Sequence, residues 1–254
     1  MIEIRNFSKV YKKSYNPVVS RVHIAAKPGI TGLLGLNGAG KTTVIKAVAA
    51  LHYASQGSVR VSDEDGIFFD ASEHPDIVRS LIGYVPETAA LPLKLTVAEY
   101  LRFTQDIYAP RSGTKKQDFE RTVAEWEIQD VLQKKIGELS KGFRQRVSFA
   151  QCCIYNPPNI VLDEPVNGLD PAQIIQFRRI IKEKSASKTV LISTHLMQEV
   201  HSLCDFIYIL AGKTVAAAGT EQEIVGRTGK SDIESAFLSV TGTASGMAGA
   251  EAAD

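Results

Sequence analysis

The sequence predicts an α/β fold in which a parallel sheet is covered by helices on both faces. Three observations predict it: short apolar runs alternate with helical segments towards the carboxyl end, a glycine-rich loop joins a strand to a helix near the amino end, and the patterning between them becomes helical. Of the 254 residues, 44% are hydrophobic, which suffices for a sizeable core. With 29 basic and 28 acidic residues, the composition excludes a disordered chain and argues against a dedicated nucleic-acid binder.

The first part of the chain is predicted to form strands that are broken by turns, followed by one helix. The expected strands cover 2–6, 18–25, 30–34 and 58–61. The helix follows the glycine-rich loop at 35–40. Its apolar face has the three- and four-residue spacing of an amphipathic helix and is set by Val44, Ile45, Val48 and Leu51.

The segment 88–150 is predicted to be a helical insertion. Thr96-Val97-Ala98-Glu99 has the pattern of a capping box, which marks the start of a helix. Apolar positions at helical spacing then run to about Leu132, with one polar break near 110–116.

The sheet itself is predicted from the last part of the chain. Apolar runs at 160–162, 190–192 and 206–210 are separated by helical segments at 171–185 and 196–203. Strands and helices that alternate at this spacing imply parallel strands buried on both faces. The small and acidic residues 243–254 are expected to form a frayed tail.

The sequence also bears on location. No stretch approaches the 18 or more consecutive apolar residues of a membrane span, and the first residues lack the apolar core of a signal peptide. Cys152, Cys153 and Cys204 have neither a disulfide pattern nor metal-ligand spacing. We therefore expect a chain that does not cross a membrane, with buried thiols in a reducing cytosol.

The glycine-rich loop predicts a phosphate-binding site. The residues 35–43 read GLNGAGKTT, which satisfies the pattern G-x-x-x-x-G-K-[ST] between a predicted strand and a predicted helix. Glycines let the backbone NH groups of such a loop point at phosphate oxygens, in front of the positive end of the helix. Lys41 is expected to bridge the β and γ phosphates and Thr42 to offer its hydroxyl to Mg²⁺. A dinucleotide fold is disfavoured because Gly40 is followed by Lys-Thr-Thr.

Two further motifs predict groups that face this loop. Val161-Leu162-Asp163-Glu164-Pro165 places two carboxylates at the end of an apolar strand, where a parallel sheet has its ligand crevice. Asp163 is positioned to hold Mg²⁺ and Glu164 to orient and deprotonate a water, although two acids at a strand end are commonly a solvated turn. Ser140 and the amides around Gly142 are expected to form a second anion site at a helix start.

With these motifs, the sequence resembles the nucleotide-binding subunit of an ATP-binding cassette (ABC) transporter over about residues 1–225. The motifs occur in the family's order: the phosphate loop, LSKGFRQRV at 139–147, VLDEP at 161–165, NGLDP at 167–171 and STH at 193–195. The resemblance implies a P-loop NTPase core of the RecA type with an antiparallel β part at the amino end. This core would comprise residues 1–87 and 151–225, with a helical subdomain over about 88–150 and a short carboxyl-terminal helix and flexible tail over 226–254.

The resemblance also implies roles for individual residues. Tyr11 would stack on adenine, and His195 would contact the γ phosphate and the lytic water; taken alone, each is more often an ordinary structural residue. ATP would be bound by Lys41 and by the neighbouring loop residues Asn37, Gly38, Ala39, Gly40, Thr42 and Thr43.

The resemblance further implies that two copies of the cassette pair, and that two segments of each copy contact the other. Ser140, Lys141 and Gly142 would face the ATP of a partner cassette, and Asp170 would lie at the dimer interface. Catalysis would rest on Glu164 as base, with charge stabilisation by Lys41 and His195.

The chain departs from the family pattern at two places. Glu87 follows Val85-Pro86 where the family generally has Gln, and Lys141 and Phe143 replace two residues of the usual LSGGQ. Glu87 could still ligate Mg²⁺ together with Thr42 and Asp163, and could touch the membrane partner. The combination is similar to the bacterial branch that includes gliding-motility, sodium-efflux and drug exporters.

The function implied by the resemblance is a Mg²⁺-dependent ATPase subunit that powers transport, with export favoured, through a separate multi-span permease. It would dimerise with a second copy or a related subunit when ATP binds, and would lie on the cytoplasmic face of the cell membrane. Two alternatives remain: a soluble cassette ATPase that acts on ribosomes or DNA, and a regulatory subunit that binds nucleotide without hydrolysing it. A GTPase is disfavoured because no Asn-Lys-x-Asp sequence occurs. The transported substrate is not encoded in this chain.

Overall fold

The architecture comes from a computed structural model, which describes the backbone of residues 1–11, 16–112 and 116–250 and the side chains of these residues except 109–112, 116–117 and 243–250. The strands are β1 (Ile2–Lys9), β2 (Val19–Ala26), β3 (Gly29–Gly35), β4 (Gln56–Ser62), β5 (Phe68–Asp70), β6 (Ile82–Val85), β7 (Asn159–Asp163), β8 (Thr189–Thr194), β9 (Phe206–Ala211) and β10 (Thr214–Gly219). The helices are α1 (Lys41–Val48), α2 (Pro75–Ser80), α3 (Val97–Ser112), α4 (Lys116–Glu125), α5 (Lys141–Cys153), α6 (Pro171–Ser185), α7 (Met197–Leu203), α8 (Glu221–Thr228) and α9 (Ile233–Ala250).

The strands form two sheets. Strands β2, β1, β4 and β5 make an antiparallel sheet in that order. The second sheet has the order β10-β9-β3-β8-β7-β6, and all its pairs are parallel except β9 with β10. Strands β3, β7 and β8 lie side by side, so that the segments following all three meet at one edge of the sheet.

Buried apolar side chains hold the layers together. One cluster lies between the two sheets and includes the inner faces of β1, β2 and β4 with Val44, Ile45 and Val48 of α1. A second cluster covers the other face of the parallel sheet and joins it to α5, α6 and the inserted helices, with Trp126 stacked on Phe149. Helices α8 and α9 close a third cluster over Ile207 and Ile209 of β9. The fully buried strands β7 and β8 are near-continuous apolar runs for this reason.

The structure confirms the predicted fold class, with a parallel sheet, an antiparallel amino-terminal β part and inserted helices. Two local predictions were wrong. Leu51 is not on the apolar face of α1, since that helix ends at Val48, Ala50 turns the chain with a φ of 52°, and the Leu51 side chain is 54% exposed. The tail predicted over 243–254 is helical as far as Ala250, where α9 ends, and residues 251–254 lie outside the described residues.

Several elements were not anticipated from the sequence. They are short or poor in large apolar residues: β5, α2, β10 and α8. The long helical stretch after Thr96 ends at Glu125 and is followed by two short 3₁₀ turns, Gln129–Val131 and Ile136–Glu138. Among the helices in the described ranges, none combines the length and the apolar content that crossing a membrane requires.

Candidate active site

The residues 35–43 form a loop from the end of β3 to the start of α1, as the phosphate-loop pattern predicts. Gly38 and Gly40 have φ values of 84° and 99°, which L side chains rarely adopt. A Cβ on Gly40 would also lie 2.2 Å from Cγ1 of Val19, so only glycine fits at this position. The loop opens onto a pocket of about 420 Å³ that is lined by Val18, Asn37, Gly38, Gly40, Lys41, Thr42, Thr43, Glu87, Glu164, Asn167 and His195.

Lys41, Glu164 and His195 meet inside this pocket. The Lys41 Nζ lies 3.2 Å from Oε1 of Glu164 and donates to the carbonyl oxygen of Gly35 at 2.8 Å. The other carboxylate oxygen of Glu164, Oε2, lies 2.8 Å from Nδ1 of His195. Lys41 and Glu164 are each only 6% exposed, so their charges are little screened by solvent. The carboxylate of Glu164 therefore lies between an ammonium group and an imidazole, in the wall of the pocket at the phosphate loop.

The backbone at Glu164 is itself unusual. Glu164 has a φ of 47°, in the left-handed region that a non-glycine residue rarely adopts. Its NH donates to both the carbonyl oxygen and the hydroxyl oxygen of Ser193, each at 3.1 Å. These bonds from β8 fix the turn that follows β7 and aim the carboxylate at Lys41.

Oxygen donors suited to a magnesium ion lie beside this carboxylate. The hydroxyl of Thr42 is 3.4 Å from Oδ1 of Asp163, and Glu87 lines the same pocket. Hydroxyl and carboxylate oxygens fit Mg²⁺, which is usually held by one or two such groups together with substrate phosphates. Among the described residues, no cluster of three His, Cys, Asp or Glu side chains could hold a metal ion. Burial and the nearby Asp163 carboxylate raise the pKa of Tyr84 to about 12, which keeps this phenol neutral.

Tyr11 lies beside the loop and is 41% exposed. Its hydroxyl is 3.4 Å from Oγ1 of Thr43 and 3.3 Å from Nε2 of His52, and the two rings meet edge to face with centroids 5.9 Å apart. Burial, reinforced by the charge of Lys9, lowers the pKa of His52 below its usual value. His52 is therefore a neutral ring at pH 7 that holds the phenol of Tyr11 against α1.

The structure does not bring the remaining predicted residues to this pocket. Ser140 is exposed and caps α5, where its Oγ accepts a bond of 3.3 Å from the NH of Phe143. A Cβ on Gly168 would lie 2.3 Å from Nζ of Lys141, so the Lys141 side chain packs on the loop at 167–171. A Cβ on Gly142 would lie equally close to Nε2 of Gln173, so the Gln173 side chain packs on this glycine. Residues 140–142 and this loop lie on one surface, and of these residues only Asn167 also lines the pocket at the phosphate loop.

Asp170 begins α6 on that surface. Its carboxylate accepts from the NH of Gln173 at 2.9 Å, and the Gln173 side chain accepts from the NH of Asp170 at 3.2 Å. This reciprocal pair is a complete capping box. Asp170 thus has a structural task within its own chain in addition to the predicted place at a dimer interface.

Sequence reasoning missed three residues of the site. These are Ser193, which belongs to the STH motif, Asn167, which belongs to the NGLDP motif, and His52, which belongs to no motif; none of these patterns predicts a contact with the site. Strand register pairs Ser193 with Asp163, and no local pattern announces that pairing. The signal that could have identified Ser193 is its place at the end of a predicted strand that neighbours the strand ending in Asp163.

Comparisons with known proteins agree with the geometry. The profile of the family described as ABC transporter matches residues 20–167. The chain is 32% identical over 245 residues to the ABC transporter ATP-binding protein NatA of Bacillus subtilis, covering 94% of this chain and 97% of that protein. It is 33% identical over 224 residues to the lipopolysaccharide export system ATP-binding protein LptB of Escherichia coli, covering 87% and 91%. A solved ATP-binding subunit of an ABC transporter superposes with a TM-score of 0.85 at 28% identity, covering 95% of this chain and 99% of that one.

Proposed function

This chain belongs to the ABC transporter family as one of its ATP-binding subunits, and from that premise we propose that it hydrolyses ATP to drive transport through a separate membrane-spanning subunit. The observation that carries the proposal is the placement of Glu164 between Lys41 and His195 in the pocket behind the phosphate loop. A subunit that only binds nucleotide has no need of a carboxylate aimed at the phosphate site.

When ATP binds, Lys41 would exchange its ion pair with Glu164 for contacts with phosphate. The ammonium group is paired with Glu164, and the β and γ phosphates would replace that carboxylate while the NH groups of the loop hold the phosphate oxygens. Glu164, released from Lys41, is then free to accept the proton of an attacking water. A bound magnesium ion would supply charge neutralisation at the phosphates, held by Thr42 and Asp163 with Glu87 nearby.

His195 completes this arrangement. Its Nδ1 is bonded to Glu164, which fixes the ring beside the place where the lytic water and the γ phosphate would lie. We propose that His195 orients Glu164 and contacts the γ phosphate, and that Tyr11 stacks on the adenine. Positioning and charge stabilisation supply most of the rate in reactions of this kind.

The proposal extends to a dimer and to a membrane partner. Ser140, Lys141 and Gly142, which we call the signature surface, do not line the pocket at the phosphate loop. A second cassette would therefore bring its signature surface to the ATP bound in this pocket. ATP would favour that closed pair because its γ phosphate binds groups from both copies. One relative is named as part of an export system, which supports export as the direction. The subunit would then lie on the cytoplasmic face of the membrane, held there by its permease.

The variant Glu164→Gln tests the catalytic assignment. The amide keeps the shape of the side chain and cannot take a proton, so we expect ATP hydrolysis to fall by about a hundredfold or more. ATP binding should persist, and an ATP-dependent dimer should accumulate in size-exclusion chromatography. Hydrolysis at the unmodified rate would refute the role of Glu164 as base. Absence of hydrolysis in the unmodified protein would favour the regulatory alternative.

Purification from membranes tests the transporter assignment. We expect the tagged protein, extracted in a mild detergent, to carry a multi-span membrane protein in a fixed ratio. Reproducible purification without one, or together with ribosomes, would support the soluble alternative instead. The same extraction with Glu164→Gln serves as a matched control, because loss of hydrolysis should leave that complex intact.

A further inference from the structure

Among the described residues of the site, Ser193 is the one polar side chain that contacts both Asp163, at the end of β7, and Glu164, which follows it. Its Oγ donates to Oδ1 of Asp163 at 2.5 Å and accepts from the NH of Glu164 at 3.1 Å. Ser193 and Asp163 face each other in paired strands, and they are 0% and 1% exposed. Water therefore cannot take over either bond if the hydroxyl is removed.

We propose that Ser193 is a positioning residue for the ATPase reaction, which holds Asp163 in the orientation that receives Mg²⁺ and at the same time fixes the backbone of Glu164. The inference rests on the proposed function and goes further, since none of the recognised motifs assigns a task to this hydroxyl. A serine hydroxyl can donate only one hydrogen bond, and here it is directed at the carboxylate.

The physical reason lies in the burial of Asp163. A buried carboxylate needs hydrogen bonds to remain charged, and a bond from a neutral hydroxyl satisfies it without cancelling its negative charge. A cationic side chain in place of Ser193 would neutralise the Asp163 carboxylate and compete with Mg²⁺ for it. The neutral hydroxyl of Ser193 leaves that negative charge available to Mg²⁺. The Thr42 hydroxyl lies 3.4 Å from the same Oδ1, so the serine bond also sets the distance between the two expected ligands. Partners that orient metal-binding carboxylates commonly affect metal affinity by 10- to 100-fold when they are changed.

The same hydroxyl acts on the second residue through the main chain. Glu164 has a left-handed backbone, and its NH is held by Ser193 alone, at the carbonyl and hydroxyl oxygens. Without the hydroxyl, the NH of Glu164 can still donate to the carbonyl oxygen of Ser193. We therefore expect Glu164 to shift less than Asp163. Removing the hydroxyl should therefore weaken Mg²⁺ binding more than it lowers the rate of ATP hydrolysis at saturating Mg²⁺.

The test compares Ser193→Ala and Ser193→Thr with the unmodified full chain. ATP affinity is measured by calorimetry in excess EDTA and in a series of Mg²⁺ concentrations, and hydrolysis is followed over the same series. We expect Ser193→Ala to raise the half-saturating Mg²⁺ concentration about tenfold or more in both measurements, with ATP affinity in EDTA unchanged. Ser193→Thr keeps a hydroxyl and should stay closer to the unmodified protein. Ser80→Ala removes another buried hydroxyl, one bonded to the carbonyl of Ile77, and should leave the Mg²⁺ dependence unaltered.

The outcomes separate the inference from the proposed function. An unchanged Mg²⁺ dependence in Ser193→Ala would overturn the assignment of Ser193 and leave the ATPase standing. Equal losses with and without Mg²⁺ would show a general structural role and would overturn it as well. Absence of ATP hydrolysis in the unmodified protein at every Mg²⁺ concentration would overturn both proposals. If Ser193→Ala melts well below Ser80→Ala, Ser193→Cys, which keeps the volume and offers a weaker donor, is measured in its place and must show the same rise.

Discussion

Glu164 combines charged contacts with a strained backbone. Its carboxylate bonds a lysine and a histidine, and its backbone occupies a region that costs roughly 1–2 kcal/mol for a residue with a side chain. The strain is sustained by the two bonds from its NH to Ser193 in the neighbouring buried strand. If Glu164 is the base, as we propose, this fixed backbone means that it would need little rearrangement after phosphate replaced it at Lys41.

His52 contacts Tyr11, which we propose to stack on the adenine, and this contact predicts a pH dependence of ATP binding. The lowered pKa means that the neutral ring is favoured in the folded protein, because the ring is partly buried and lies near Lys9 and Lys46. The contribution of His52 is therefore complete above the usual histidine pKa of about 6.5 and is lost as the pH falls through the lowered value. Protonation would place a cation beside the phenol of Tyr11 and weaken its position.

We therefore expect ATP affinity to fall by about threefold more between pH 7.5 and pH 5.5 in the unmodified protein than in His52→Gln, whose amide stays neutral. Fluorescence titration with ATP at each pH measures this difference. Protonation of ATP itself contributes equally to both proteins and cancels in the comparison. Parallel pH profiles would show that His52 does not act on the nucleotide.

At the scale of elements, three helices in the described ranges begin with complete capping boxes. Thr96 starts α3 with Glu99 as its partner, Asp170 starts α6, and Thr220 starts α8 with Glu223 as its partner. Each cap satisfies NH groups that the helix leaves without partners at its first turn. The cap of α6 lies beside the signature surface, whereas the cap of α8 does not. Removing the cap of α6 and removing the cap of α8 therefore disturb the same kind of structure at two different places.

Asp170→Ala and Thr220→Ala are each expected to lower the free energy of unfolding by about 1 kcal/mol, measured in urea. Asp170→Asn should retain most of that stability because asparagine is also a good cap. If Asp170 lies at the interface of two cassettes, Asp170→Ala alone should reduce ATP hydrolysis, beyond what Thr220→Ala does. Equal rates in the two alanine variants would contradict an interface role for Asp170.

Elements with strong local signals could be predicted from the sequence, and those defined by their neighbours could not. The buried strands β3, β7 and β8 are apolar runs, and α3 begins at a capping box, so both were anticipated. Helix α8 carries the same Thr-x-x-Glu signal and was nevertheless overlooked. The three-residue β5 exists because β4 provides its hydrogen bonds, and β10 is built of small residues that pair with β9. Contacts such as Ser193 with Asp163 depend on strand register and appear only once the sheet is formed.

At the scale of the whole molecule, the proposed function divides the ATP site between two copies of the chain. The phosphate loop lines a pocket with Glu164 and His195, while Ser140 and Lys141 lie on a surface next to the loop at 167–171. The exposed end of α5 offers its NH groups and the Ser140 hydroxyl to an anion that this chain does not bring there itself. Two copies related by a twofold axis would each supply what the other lacks, because a twofold axis pairs residue i with j and j with i.

This arrangement predicts which pairs of cysteines can be cross-linked. Asn37 in the phosphate loop and Ser140 are both exposed, so Asn37→Cys and Ser140→Cys can be made separately and mixed with a short bismaleimide. In a head-to-tail dimer, ATP should produce a cross-linked species in the mixture and not with either variant alone, since a cysteine at 37 would face a cysteine at 140 only in the partner. The unmodified protein controls for Cys152, Cys153 and Cys204, which are largely buried. Cross-linking of Asn37→Cys alone would mean that the two phosphate loops face each other, and the signature surface would then have no part in binding ATP.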